Sequence, residues 1–192
     1  MKNRIIILLV VLFMVIGISA CSKKVNADEN QQPEVPVVGE TGEDPSDDVD
    51  ELYYVLYLKH NSNPFIFADS FSIKENDRRL ENKTFEFFVM EELIAQADID
   101  DLINPIPSGT RVLSAEKVGR TVIVDLSKEF KDNMEGTKTD IEATIAVIVN
   151  SLTTLPGNDS VEILVEGEKI TNLKGVNISK TYEFISDFHL DK

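Results

Sequence analysis

The chain has 192 residues, 42% of them hydrophobic and 28% charged, with a formal net charge of −15, so it can build one core under a strongly acidic surface. That charge repels the phosphate backbone on which nucleic-acid affinity rests, which excludes nucleic acid as a partner. A single cysteine, Cys21, and two histidines, His60 and His189, exclude an intramolecular disulfide and leave no zinc-spaced ligand set.

In chain order, Lys2 and Arg4 precede an unbroken apolar run from Ile5 to Ile16, the length of a signal-peptide core and too short to span a bilayer well. Ile18-Ser19-Ala20-Cys21 closes the run in the manner of a bacterial lipobox. Residues 1–20 therefore read as a lipoprotein signal peptide, and Cys21 as the lipidated first residue of the mature chain. Two acyl chains on Cys21, at roughly 0.8 kcal/mol per buried methylene, suffice for stable attachment to a membrane without spanning it. The expected location is the extracytoplasmic face of the cell membrane.

From Cys21 to Glu51 the composition changes. Pro33, Pro36 and Pro45 are scattered among polar residues, and ten acids face only Lys23 and Lys24. Such a segment lacks the apolar surface to offset chain ordering and is expected to be an extended, self-repelling tether. The folded part is expected over residues 52–184, with 185–192 a loosely attached tail.

Within that part, Leu52 to Leu58 is apolar throughout and reads as a strand buried on both faces. Asn61-Ser62-Asn63-Pro64 turns the chain into a second strand at Phe65 to Ala68, with Phe71 and Ile73 able to extend it. A helix is expected near Thr84 to Gln96, where Phe85, Phe88, Val89 and Leu93 share a face. Pro105 and Pro107 end it, and Val112 to Lys117 and Thr121 to Leu126 form a hairpin about Val118-Gly119-Arg120 that is expected to be the centre of the sheet. Lys128 to Lys138 reads as a polar connection. The organising helix follows, with Ile141, Ile145, Ile148, Val149 and Leu152 on one stripe and Glu142 and Asn150 away from it. Leu155-Pro156-Gly157-Asn158 stops it before the strand Val161 to Val165, and a peripheral hairpin is expected from Ile170 to Phe184.

The helix ending Glu91-Glu92-Leu93-Ile94, then Ile106-Pro107-Ser108-Gly109-Thr110, then Val122 to Ser127, and finally Ile148 to Pro156 followed by Val161 to Gly167 occur in that order. Together they resemble the GerMN domain, the sporulation and spore-germination module of bacterial lipoproteins. The resemblance covers roughly Leu52 to Gly167. It implies an α/β (α+β) fold related to ring-building motifs, with two helices on one face of a three- to four-stranded sheet, and a non-catalytic role at the cell envelope.

No catalytic constellation stands out. Asp98, Asp100 and Asp101 lack the glycine and terminal glutamate of a calcium loop, Glu91 and Glu92 point in different directions on a helix, and no serine elbow or phosphate-binding glycine loop is present. No cofactor and no metal are expected. Arg120 at the hairpin tip, with Asn150 and Thr153 toward the end of the organising helix, are the candidate partner contacts. The partners are the membrane through Cys21, and either envelope proteins or peptidoglycan. A scaffold module and a wall-glycan module or hydrolase regulator both remain open, and a free sheet edge is a route to homo-oligomers.

Overall fold

The computed structural model describes residues 50–190. The signal peptide, Cys21 and the acidic tether before Asp50 lie outside the described residues. Strands β1 (Glu51–His60) and β2 (Ile66–Lys74) form an antiparallel ladder in unbroken register from Glu51↔Lys74 to Lys59↔Ile66. Phe71 and Ile73 do extend β2. A short strand, β3 (Leu102–Ile103), pairs with the other side of β1 at Lys59 and His60.

A second sheet has the order β4 (Val112–Val118), β5 (Thr121–Leu126), β6 (Ser160–Val165), β7 (Glu168–Lys169), with β8 (Thr181–Tyr182) also pairing with β6. The strands thus divide between two sheets. The apolar run Leu52 to Leu58 within β1 carries no mark of which sheet it joins. The β4–β5 hairpin turns on Gly119, at φ +66°, the first central position that a two-residue type II′ turn requires to be left-handed. Expected at the centre of its sheet, the hairpin is only half so placed: β5 is interior, paired in parallel with β6, and β4 is an edge.

The first main helix, α1 (Phe85–Ala95), is N-capped by Thr84, whose hydroxyl accepts from Phe87 N and donates to Ala115 O at 2.6 Å. That second bond ties the helix start to the β4 edge. The connection expected to be polar contains a short helix, α2 (Glu129–Asp132), which buries Phe130, and Met134 is buried just beyond it.

The long helix, α3 (Lys138–Thr153), opens with a capping box. The Thr137 hydroxyl accepts from Asp140 N, and the Asp140 carboxylate accepts from Thr137 N at 3.0 Å. From Ala143 to Leu152 every residue is buried. β1 packs on this helix, and so do β6 and α1. A helix covered all round needs no polar face, so the stripe expected from the sequence is only part of the buried surface, and Asn150 is inside rather than away from it. Each buried Ile or Leu here contributes roughly 1.5–3 kcal/mol relative to an exposed one, which makes α3 the element on which both sheets depend. Gly157, at φ +80°, turns the chain after the helix, and the Asn158 amide donates to Leu152 O at 3.0 Å to close its end.

Past Gly167 the chain forms an arm whose inner part is the expected small hairpin, closed by the antiparallel Leu173–Val176 bridge and by Ile178 N donating to Ile170 O at 3.1 Å. β7 and β8 each pair with β6, and Ile170, Leu173, Val176, Ile178 and Tyr182 are buried between and beside them. The expected loose tail is also tied down, because Ile66 N donates to Phe188 O at 2.9 Å and Ile185 bonds to Asn150 through both its backbone groups.

Candidate functional site

A cleft of about 530 Å³ lies between the first half of α3 and the arm, within the size range of small-ligand sites. Ile145, Val176, Ile185 and Phe188 supply its apolar lining, and Lys138, Glu142, Lys180 and Asp187 its charges. Lys138 and Glu142 are one helical turn apart and pair at 3.6 Å. Lys180 places Nζ 4.8 Å from the centre of the Tyr182 ring. The Tyr182 hydroxyl donates to Asn177 O at 3.2 Å, and burial, with Glu142 adding to it, pushes this phenol up to about 12. Tyr182 is thus a fixed neutral wall. The cleft offers apolar surface with charges of both signs, which suits a peptide or another amphipathic ligand and holds no nucleophile–base pair.

The aspartates with the clearest shifts are held by local structure. Asp140 is lowered first by the Thr137 hydroxyl, then by the Thr137 N–H and by Lys59. Asp159 is lowered by its bond to Arg120, and Asp77 by the backbone N–H and then the side chain of Arg79. All three shifts favour the carboxylate, whereas a general acid needs a carboxyl raised toward neutrality. The acidic group at Asp98 is a turn: its Oδ1 accepts from Asn104 N at 2.8 Å, while the Asn104 amide donates to Leu93 O at 2.8 Å and Gln96 O at 3.1 Å at the end of α1. Among the described residues no group of three or more His, Cys, Asp or Glu is placed to hold a metal, and no helix is long and apolar enough to cross a membrane.

The three residues singled out from the sequence do not converge. Arg120 is exposed and forks onto Asp159, with its Nη2 at 2.6 Å from Oδ1, linking the β4–β5 turn to the start of β6. Asn150 is fully buried, and its amide is occupied by Ile185 and His189. Thr153 is half-buried and its hydroxyl donates to Val149 O at 2.9 Å. Of these, only Arg120 offers a group to a surface partner.

Sequence reasoning missed the cleft because its walls lie far apart in the chain. It also missed the exposed apolar residues Tyr53, Leu113 and Val118. Leu113 is turned outward by the register shift between Val112 and Ser114, which no local pattern announces.

The family model Germane, described as sporulation and spore germination, matches residues 51–171. Among solved structures, the first GerMN domain of the sporulation protein GerM from Bacillus subtilis is 16% identical with a TM-score of 0.54, over 69% of this chain and 96% of that one. The tandem GerMN domains of the same protein are 19% identical with a TM-score of 0.55, over 70% of this chain and 46% of that one, so the chain spans about half the tandem's length. A candidate lipoprotein from Clostridium perfringens is 23% identical over 69% of this chain and 87% of that one, with a TM-score of 0.48. No curated protein matches. The two GerM structures share this fold, and the family model covers more than half of the chain, which therefore belongs to the Germane family of sporulation and spore germination.

Proposed function

We propose that this is a lipid-anchored protein of the cell envelope, held at the extracytoplasmic face by Cys21, whose Germane domain is a non-catalytic interaction or scaffold module in sporulation or germination. The observation that carries the reading is the order of its parts: a basic start, an apolar core closing on Ile18-Ser19-Ala20-Cys21, a tether rich in acids, and then a Germane domain. Supporting it, the clearest aspartate shifts are all explained by caps and ion pairs, and the cleft at α3 presents mixed apolar and charged surface fit for a polypeptide.

The test is fractionation of cells expressing the wild-type chain and Cys21→Ser, with labelled palmitate. The reading expects label and membrane retention in the wild type and loss of both in the variant. Wild-type protein recovered unlabelled in the aqueous fraction sinks it. Retention on purified peptidoglycan that survives high salt, without recovery of any envelope protein, transfers the role to the wall-glycan alternative.

A further inference from the structure

The Asn150 amide is held in one orientation. Its Oδ1 accepts from Ile185 N at 2.8 Å and its Nδ2 donates to Ile185 O at 2.9 Å. The second Nδ2 hydrogen faces His189 Nε2 at 3.1 Å. Because Nδ2 can only donate, Nε2 must carry its lone pair, which makes His189 neutral with its proton on Nδ1. Turning the amide over would not help a protonated ring, since it would set Nδ2 against Ile185 N–H and Oδ1 against Ile185 O. The imidazole packs beside Tyr57 of β1, with ring centres 5.6 Å apart, and beside Phe184, at 5.3 Å.

We propose that residues 184–190 are a proton-released latch: neutral His189 closes this segment across α3 and β1, and protonation at Nε2 opens it. An imidazolium would bring N–H against the Asn150 N–H, replacing a hydrogen bond with two opposed donors. The closed latch binds no proton at Nε2 and the open one binds one, so by linkage it closes as pH rises and opens as pH falls. Histidine is the side chain whose ordinary titration lies in the range where such a device works.

The groups facing the ring are few. From β1 comes the Tyr57 phenol, raised by burial and neutral throughout this range. From α3 comes Asn150, which carries no charge. On the segment itself Asp187 is the one other charge, Glu183 precedes the segment and Asp191 and Lys192 follow it in sequence, and on β1 Lys59, two residues from Tyr57, is paired with Asp140.

What the latch covers gives it a consequence. β2 is the free edge of its sheet, and Phe188 O occupies the Ile66 N–H of that edge. Ile185 and Phe188 also form one wall of the cleft at α3. Opening therefore frees an edge N–H of β2 and takes down the cleft wall together, changing two surfaces by one proton.

The experiment is amide hydrogen exchange on the full chain, with rates corrected for the intrinsic effect of pH, alongside ¹⁵N shifts of the His189 ring. Protection at Ile66 and Ile185 is expected to fall about tenfold or more between pH 7.5 and pH 5, a one-proton dependence, while Val124 and Ile163 in the core strands keep theirs. His189→Gln, whose side-chain oxygen can accept from Asn150 but cannot titrate, should hold protection at both pH values. His60→Gln, altering the other histidine, should behave as wild type. Unchanged corrected protection at Ile66 and Ile185, the same loss in His189→Gln, or a ring whose neutral form carries its proton on Nε2 would each overturn the proposal. If His189→Gln does not fold, the wild-type exchange and ring shifts decide.

Discussion

Lys59 is the one charged residue among those described that is buried, with its side chain 7% exposed. Its Nζ reaches Asp140 Oδ1 at 3.3 Å and His60 O at 3.0 Å. Asp140→Ala strands that ammonium and removes half of the capping box. Breaking a fully buried pair costs 3–5 kcal/mol and an exposed one about 0–1 kcal/mol. With Asp140 39% exposed, the loss lies between these limits, at about 2 kcal/mol. The cap adds about 1 kcal/mol, for a total near ~3 kcal/mol. Lys59→Met keeps the length of the stem and removes the charge, leaving Asp140 capped and partly solvated, so it should cost less than about 1 kcal/mol. In the double variant only the cap remains to be lost, and the coupling is about 2 kcal/mol. Urea unfolding at pH 7, compared at constant m, measures it. Equal costs of Asp140→Ala in the two backgrounds would refute the reasoning. The acid limb gives a second check. Because the folded-state value of Asp140 lies below its ordinary 3.8, its contribution is present above that value and is lost as pH falls below it. Asp140→Ala should flatten that limb.

Ile148→Ala, in the part of α3 covered on all sides, should cost about 2–5 kcal/mol by denaturant unfolding, while exposed Tyr53→Ser leaves the midpoint where it was. Gly136 sits at φ +98°, and a Cβ there would lie 2.9 Å from the Asp140 Cβ, so Gly136→Ala should cost about 1–3 kcal/mol and lower the Tm. Tyr182, raised from the ordinary 10 to about 12, should be the last tyrosine to ionise in an ultraviolet titration. The stability its neutral form supplies is present below pH 10 and is lost as pH rises toward 12. A spectrum in which every tyrosine ionises together near pH 10 while the fold persists would contradict its burial.

The elements with strong period were legible in the sequence. The stripe of Ile141, Ile145 and Ile148, the alternation of Val122, Val124 and Leu126, and the Pro156-Gly157 stop each announce themselves within a few residues. Legibility failed where the deciding partner is remote. Asn150 reads as polar and therefore outward, yet the backbone of Ile185 satisfies both ends of its amide. Phe130 and Met134, set among charged neighbours, read as loop, although Thr137 with Asp140 three residues on is a capping signal that places the helix start near them. Arg120 was legible as an exposed turn residue but not as the partner of Asp159, on the far side of α3 in the sequence. The cleft combines α3 with residues 175–188, and nothing local joins those stretches.

The most direct test of the account is crosslinking of the full chain in its native membrane, followed by mass spectrometry of what is joined to residues 50–190. Attachment through Cys21 and a scaffold role predict crosslinks from the folded domain to other envelope proteins, lost when Cys21→Ser releases the chain. Crosslinks to wall fragments alone would contradict the scaffold role.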